Sequence, residues 1–151
     1  VKKIGKGLAK YLVLSGKTLN ADDALKIGLI DGVISYDDFY SFTRNEIVLP
    51  EPSTQVIPDP WKRMKHLFEE NQYKNILDGT YVNGGMEQGE VSKLAAVLSA
   101  KAPLAMDVAE MLMDQASGTQ SELDNLTKVF STKDALLGLT SLGQKVVYSG
   151  E

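Results

Sequence analysis

The stretch Leu12-Val13-Leu14-Ser15-Gly16-Lys17-Thr18-Leu19-Asn20-Ala21-Asp22-Asp23-Ala24-Leu25-Lys26-Ile27-Gly28-Leu29-Ile30-Asp31 decides how the chain is organised. It opens on the end of an amphipathic helix. Ile4, Leu8, Tyr11 and Leu12 fall at one-face spacing, and Gly16 suits the left-handed position that closes such a helix. Asn20 has the side chain of an N-cap: its oxygen can accept from the amides of Asp22 or Asp23, and both acids favour the positive helix end. A second helix, roughly residues 21–27, stops at Gly28. Leu29 follows where a Schellman motif wants an apolar contact. Gly32-Val33-Ile34 predicts a short extended piece leaving a turn.

Downstream, the pattern lapses and then returns. From Ser35 to about Pro60, Tyr36, Phe39, Tyr40 and Phe42 crowd one stretch and Pro50, Pro52 and Pro58 follow, which predicts loops or a small edge structure. Asp59-Pro60 predicts a cap followed by proline at the first helical position, with Trp61, Met64, Leu67 and Phe68 on one face. Asp78-Gly79, Asn83 and Gly84-Gly85 mark another loop, with Thr80-Tyr81-Val82 extended between them. From Glu90 the chain reads as helices. Val91, Leu94, Ala95 and Leu98 carry the first. Pro103 opens the next, with Leu104, Val108, Met111 and Leu112 on its face and Gly118 after its end. Ser121 with Asp124 forms an acidic variant of the capping box, ahead of a buried stripe of Leu123, Leu126 and Phe130. Ser131 or Thr132 caps a last helix carrying Ala135, Leu136, Leu139 and Leu142. The fold class is mostly α.

Composition narrows the possible functions. At 151 residues, 43% apolar and 24% charged, the chain is expected to form one ordinary soluble domain with a real core. A net charge of -4, from 16 basic and 20 acidic residues, speaks against nucleic acid as a partner. There is no cysteine, which excludes disulfides and thiolate chemistry, and one histidine, which excludes multi-histidine metal sites. No apolar run approaches the ~20 residues of a membrane span, and no signal peptide opens the chain. A cytoplasmic setting is the expectation. The first residue is Val1, with no capping residue ahead of its helical pattern. A processed chain, a proteolytic fragment or a cloned domain would look like this.

The obvious motifs fail their own chemistry. Ser15-Gly16-Lys17-Thr18 copies the end of a phosphate-binding loop, but Tyr11 stands where its first glycine belongs, inside a helix. Gly5-x-Gly7 lacks the third glycine of a dinucleotide fingerprint, because Lys10 holds that position. His66, in Lys62-Arg63-Met64-Lys65-His66-Leu67, has the chemistry of a general base but no partner marked in the sequence, so a solvated or half-buried structural role is expected. Asp22-Asp23, Asp37-Asp38 and Glu69-Glu70 are adjacent in sequence and do not face one another on a helix, so none is a preformed carboxylate dyad. Met106, Met111 and Met113 read as core filling.

The arrangement of pieces is more telling. Leu12 to Asp31 resembles the enoyl-CoA hydratase/isomerase (crotonase) superfamily, which carries a leucine-rich helix end, "TG", "A-x-E-A" and "GLV" in this order; Ser15 replaces the usual threonine and Asp23 the usual glutamate. Lys101-Ala102-Pro103-Leu104-Ala105 resembles that family's "K-x-P-x-A" helix start. Phe130-Ser131-Thr132-Lys133-Asp134-Ala135-Leu136-Leu137-Gly138-Leu139 is similar to its closing "F-x-T-x-D-x-x-E-G", with Leu137 for the glutamate. The resemblance covers about residues 1–35 and 91–150. It leaves 36–89 as an insertion, which suits the crotonase-like half of fused 3-hydroxyacyl-CoA dehydrogenase/enoyl-CoA hydratase proteins.

The resemblance implies that residues 1–151 are a C-terminal fragment of a crotonase-like domain. They would be the helical part of an α/β crotonase (ClpP-like) fold, with the β-core missing. The family's oxyanion amides and catalytic glutamates precede this part, so no catalytic residue is expected here. The implied parent is a lyase hydrating 2-trans-enoyl-CoA in fatty-acid β-oxidation. Acyl-CoA is its substrate, and NAD is a cofactor only if a dehydrogenase is fused. The helices would cap the acyl-CoA pocket and pair with the rest of the parent chain and with further copies in a homo-oligomer. Two CoA contacts carry over by alignment: Lys145 toward the nucleotide end, against the plain alternative of a lysine near a helix C-terminus, and Leu126 in place of an adenine-packing aromatic. Isomerase, thioester hydrolase or dehalogenase chemistry on the same scaffold is the first alternative. A free-standing, non-catalytic helical interaction module is the second. The aromatics from Tyr36 to Phe42 are expected to dock on a companion domain.

Overall fold

The computed structural model describes residues 1–49, 56–116 and 118–151. The expectations for Pro50 and Pro52 lie outside them. Helices α1 (Gly5–Ser15), α2 (Ala21–Lys26), α3 (Phe39–Thr43), α4 (Trp61–Glu70), α5 (Tyr73–Asp78), α6 (Gln88–Ser99), α7 (Pro103–Gln115), α8 (Thr119–Phe130) and α9 (Lys133–Thr140) follow in chain order. No strand occurs among the described residues, so Gly32-Val33-Ile34 and Thr80-Tyr81-Val82 are non-helical segments and not sheet. Each lacks a neighbouring strand to pair with, and a lone extended segment gains no ladder.

Helix α1 is the central element. It packs on α4, α6 and α7 and buries Leu8, Ala9 and Leu14, with Ile4 buried just ahead of it. Leu67 and Phe68 of α4 are fully enclosed, and Trp61 and Phe68 each meet the Tyr11 ring, at centroid distances of 6.1 and 5.8 Å. Much of the core therefore comes from segment 36–89: Trp61, Leu67, Phe68, Tyr73, Ile76 and Met86 all belong to it. The close crossing of α1 over α4 depends on Gly7, which faces the α4 backbone at Lys65.

The local punctuation follows the sequence closely. Gly16 closes α1 at φ 69° with its amide on the Leu12 carbonyl, and Asn20 caps α2 by accepting from the Asp23 amide at 2.7 Å. The Gly28 amide donates to the Leu25 carbonyl and the Leu29 amide to the Ala24 carbonyl, the two bonds of a Schellman motif. Thr132 caps α9 through the Ala135 amide, and Pro103 stands at the first position of α7.

Other boundaries depart from expectation. Pro60 is the residue before α4, and Asp59 makes no capping bond. Residues 39–43 form a short helix inside the stretch expected as loop. Ser121 and Asp124 lie within α8, which Gly118 precedes, so they form no capping box; Asp124 instead accepts from the Gln120 amide nitrogen. Ala116, at φ 49°, closes α7 ahead of Gly118. The buried line of α7 is Met106, Val108, Glu110 and Met113, whereas Leu104, Met111 and Leu112 are half-buried.

Candidate functional site

The C-terminal arm is built differently from the rest. Leu123, Leu126 and Phe130 of α8, expected as a buried stripe, are 53%, 46% and 62% exposed. Leu136 and Leu139 of α9, and Leu142 beyond it, are exposed as well. Helical spacing correctly put these residues on common faces, but the main packing of α8 is against α7 and α9, and its apolar side stays exposed among the described residues. Exposed large apolar residues grouped in this way make the α8–α9 arm the candidate site.

The chain's last residues are tied back onto this arm by Asp134. Its buried carboxylate accepts from the Ser149 amide at 2.8 Å, the Gly150 amide at 2.8 Å and the Ser149 hydroxyl at 3.3 Å. Burial alone would raise this carboxyl's pKa; the Ser149 and Gly150 donors outweigh it and hold the pKa below the usual carboxylate range. The Asp134 amide in turn donates to the Glu151 carbonyl, and Lys133 pairs with the Glu151 carboxylate at 2.6 Å. The "T-x-D" of the closing motif is therefore a cap followed by a clasp.

The two residues aligned with CoA contacts both lie on this arm. Leu126 is on the exposed face of α8. Lys145 is exposed, four residues beyond the Ser141 cap of α9.

A second polar cluster joins α1, α5 and α7. Lys10, almost fully buried in α1, reaches Glu110 at 3.2 Å and Asp114 at 2.9 Å, and Lys6 adds a contact to Asp114 at 3.2 Å. Glu110 also accepts from the Tyr73 amide at 3.0 Å, which satisfies the start of α5. The Tyr73 hydroxyl donates to Asp107 at 2.7 Å, and Lys74 pairs with the same carboxylate. Burial, then the Asp107 hydrogen bond and the nearby Asp107 and Glu110 charges, pushes the Tyr73 phenol above its ordinary pKa. Asp107 and Asp114 are lowered: burial opposes this, but bonds from Lys74 and Tyr73, and from Lys10 and Lys6, prevail. Every charge here has a partner within the chain. The cluster fixes α5, α7 and α1 together and leaves no group poised to abstract or deliver a proton. Sequence reasoning missed it, and a lysine on the apolar face of α1 was the only available signal.

His66 is exposed on α4 against the Gly84 loop, at the edge of an open groove of about 550 Å³ that also holds Lys62 and Glu69. Ser15 ends α1 and Gly16 closes it in the left-handed conformation, so the Ser15-Gly16-Lys17-Thr18 stretch is a helix C-terminus. No helix is long and apolar enough to cross a membrane, and no group of three metal-ligating side chains occurs, among the described residues. No protein-family model matches the chain, and no match to it is found among the curated proteins or the solved structures.

Proposed function

We propose that these helices are the C-terminal cap of an enoyl-CoA hydratase-type enzyme of the crotonase superfamily. The parent hydrates 2-trans-enoyl-CoA in fatty-acid β-oxidation in the cytoplasm, and NAD enters only where a 3-hydroxyacyl-CoA dehydrogenase is fused to it. The carrying observation is the uncovered apolar face of α8 and α9, from Leu123 to Leu142. A cap must present such a face to the acyl-CoA pocket and to neighbouring copies, while a self-sufficient helical globule would bury it. The three ordered motifs agree with it.

In this proposal the chemistry belongs to other segments of the parent. Backbone amides polarise the thioester carbonyl and a glutamate activates water. The residues described here bind and orient. Lys145 offers an ammonium to a phosphate at the nucleotide end of CoA, and Leu126 offers apolar packing without ring stacking. The Asp134 clasp ties down Ser149 and Gly150, four and five residues beyond Lys145.

The test is to supply 2-trans-enoyl-CoA to the full gene product and identify the product. Formation of 3-hydroxyacyl-CoA supports the proposal. A shifted double bond or free CoA moves the chemistry to an isomerase or hydrolase on the same scaffold. No turnover, with a monodisperse monomer that melts cooperatively, overturns the proposal in favour of an interaction module. For Lys145, K145Q is expected to raise KM for CoA thioesters while leaving pantetheine thioesters, which lack the nucleotide, unchanged.

A further inference from the structure

A groove of about 400 Å³ runs between α1, α4 and α6, away from the α8–α9 arm. Its wall is apolar: Tyr11 from α1, Met64 from α4, and Leu94 and Val97 from α6. Val97 is 44% exposed there, an unusual placement beside otherwise buried Leu94. The rim is cationic. Lys17 and Lys93 line the groove and are exposed, and the Lys101 ammonium lies beside Gly16, the residue before Lys17. None of these three lysines forms an ion pair among the described residues, whereas most other cations of the chain do. The groove's one carboxylate, Glu90, is already engaged by Arg63 at 2.9 Å and by the Glu87 amide.

An apolar trough whose lining also carries Lys17 and Lys93, both without an ion pair among the described residues, is complementary to a molecule with an apolar body and one anionic end. The geometry points to a binding site for a medium-chain fatty carboxylate, its chain on Tyr11, Met64, Leu94 and Val97 and its head between Lys17 and Lys93. One feature favours a carboxylate over a phosphate ester: Glu90 lines the same groove, and its charge repels a dianion more than a monoanion. The site involves no residue of the α8–α9 arm and stands independently of the proposed hydratase role.

The experiment is calorimetric titration of the protein with decanoate below its micellar concentration, with decanol and decyl phosphate as parallel arms. A diazirine-bearing decanoic acid, photolysed on the protein and mapped by mass spectrometry, locates the chain. Saturable binding of decanoate, crosslinks on α1, α4 and α6, and a loss of about tenfold in affinity for the exposed double variant K17Q/K93Q are expected, equivalent to ~1.4 kcal/mol. V97D, also at an exposed position, should abolish binding while leaving the melt unchanged. Equal binding of decanol, tighter binding of decyl phosphate, crosslinks confined to the α8–α9 face, or K17Q/K93Q affinity equal to wild type would each overturn the assignment.

Discussion

Gly7 of α1 faces the carbonyl of Lys65 in α4 so closely that a β-carbon at position 7 would sit 2.1 Å from that oxygen and 2.7 Å from Glu69 Cγ. The obstacle is backbone, which cannot step aside as a flexible side chain can. Gly7→Ala must therefore push α1 off α4 and open the Leu8, Leu67 and Phe68 contacts. A loss of about 3 kcal/mol is expected from overpacking of this kind, read from the urea midpoint. Gly89, in the first turn of α6, has nothing within 4 Å of its would-be β-carbon. Gly89→Ala should stabilise by ~0.5–1 kcal/mol, the ordinary helix propensity difference.

Lys10 and Glu110 form a buried pair whose members fail differently when mutated. Lys10→Met leaves the Glu110 carboxylate enclosed without its cation and is expected to cost about 3–5 kcal/mol. Glu110→Gln keeps an acceptor for the Tyr73 amide, while Asp114 still pairs Lys10, so its cost should be smaller. Urea unfolding of the two variants and of the double variant K10M/E110Q checks this. The double variant should be less destabilised than the sum of the two single changes.

Acid should release the tail. Asp134 and Asp114 have carboxyls held below their ordinary pKa, the first by the Ser149 and Gly150 donors and the second by Lys10 and Lys6, in both cases against the opposing effect of burial. A depressed folded pKa contributes stability that is fully present above the unfolded value of about 3.9 and is lost as pH falls through the folded value. Melting temperature is therefore expected to be flat in this respect above about pH 5 and to fall below pH 4. Asp134→Asn should flatten part of that fall. It should also speed hydrogen exchange at the Ser149 and Gly150 amides at neutral pH, since those amides lose their charged acceptor.

The uncovered α8–α9 face predicts association without a stability cost. Leu136→Glu with Leu139→Glu alters residues 65% and 61% exposed, so the melt should change by no more than about 0.5 kcal/mol equivalent. Sedimentation should show the wild-type chain self-associating and the double variant dissociated. A wild-type chain that sediments as a monomer at every concentration would refute the interaction face.

Tyr36, Phe39 and Tyr40 are exposed, and only Phe39 and Tyr40 pack on each other, ring edge to face at 5.7 Å. Replacing all three with alanine should leave the unfolding midpoint nearly unchanged, within about 0.5 kcal/mol per residue. A larger loss would place them in the core.

Several elements were legible because their determinants are local. The Gly16 and Asn20 caps, the Gly28-Leu29 Schellman bonds, the Pro103 start and the Thr132 cap each depend on residues within one turn of one another. The buried faces of α4 and α6 were legible too, since apolar spacing alone decides them when a partner is present. The same spacing in α8 and α9 gave the face and misjudged its burial. Periodicity says which residues share a side of a helix and nothing about what lies opposite.

The sequence by itself determined a mostly helical chain, several of its caps and the buried sides of α4 and α6, because those follow from hydrogen bonds and periodicities a few residues long. Tertiary structure alone decided that Gly7 faces a backbone, that a lysine and a glutamate exactly one hundred positions apart share the interior, and that Asp134 holds the last residues of the chain. Each of these depends on two segments distant in sequence meeting at a particular height and angle. That meeting is set by how all the helices pack together, and no local pattern encodes it.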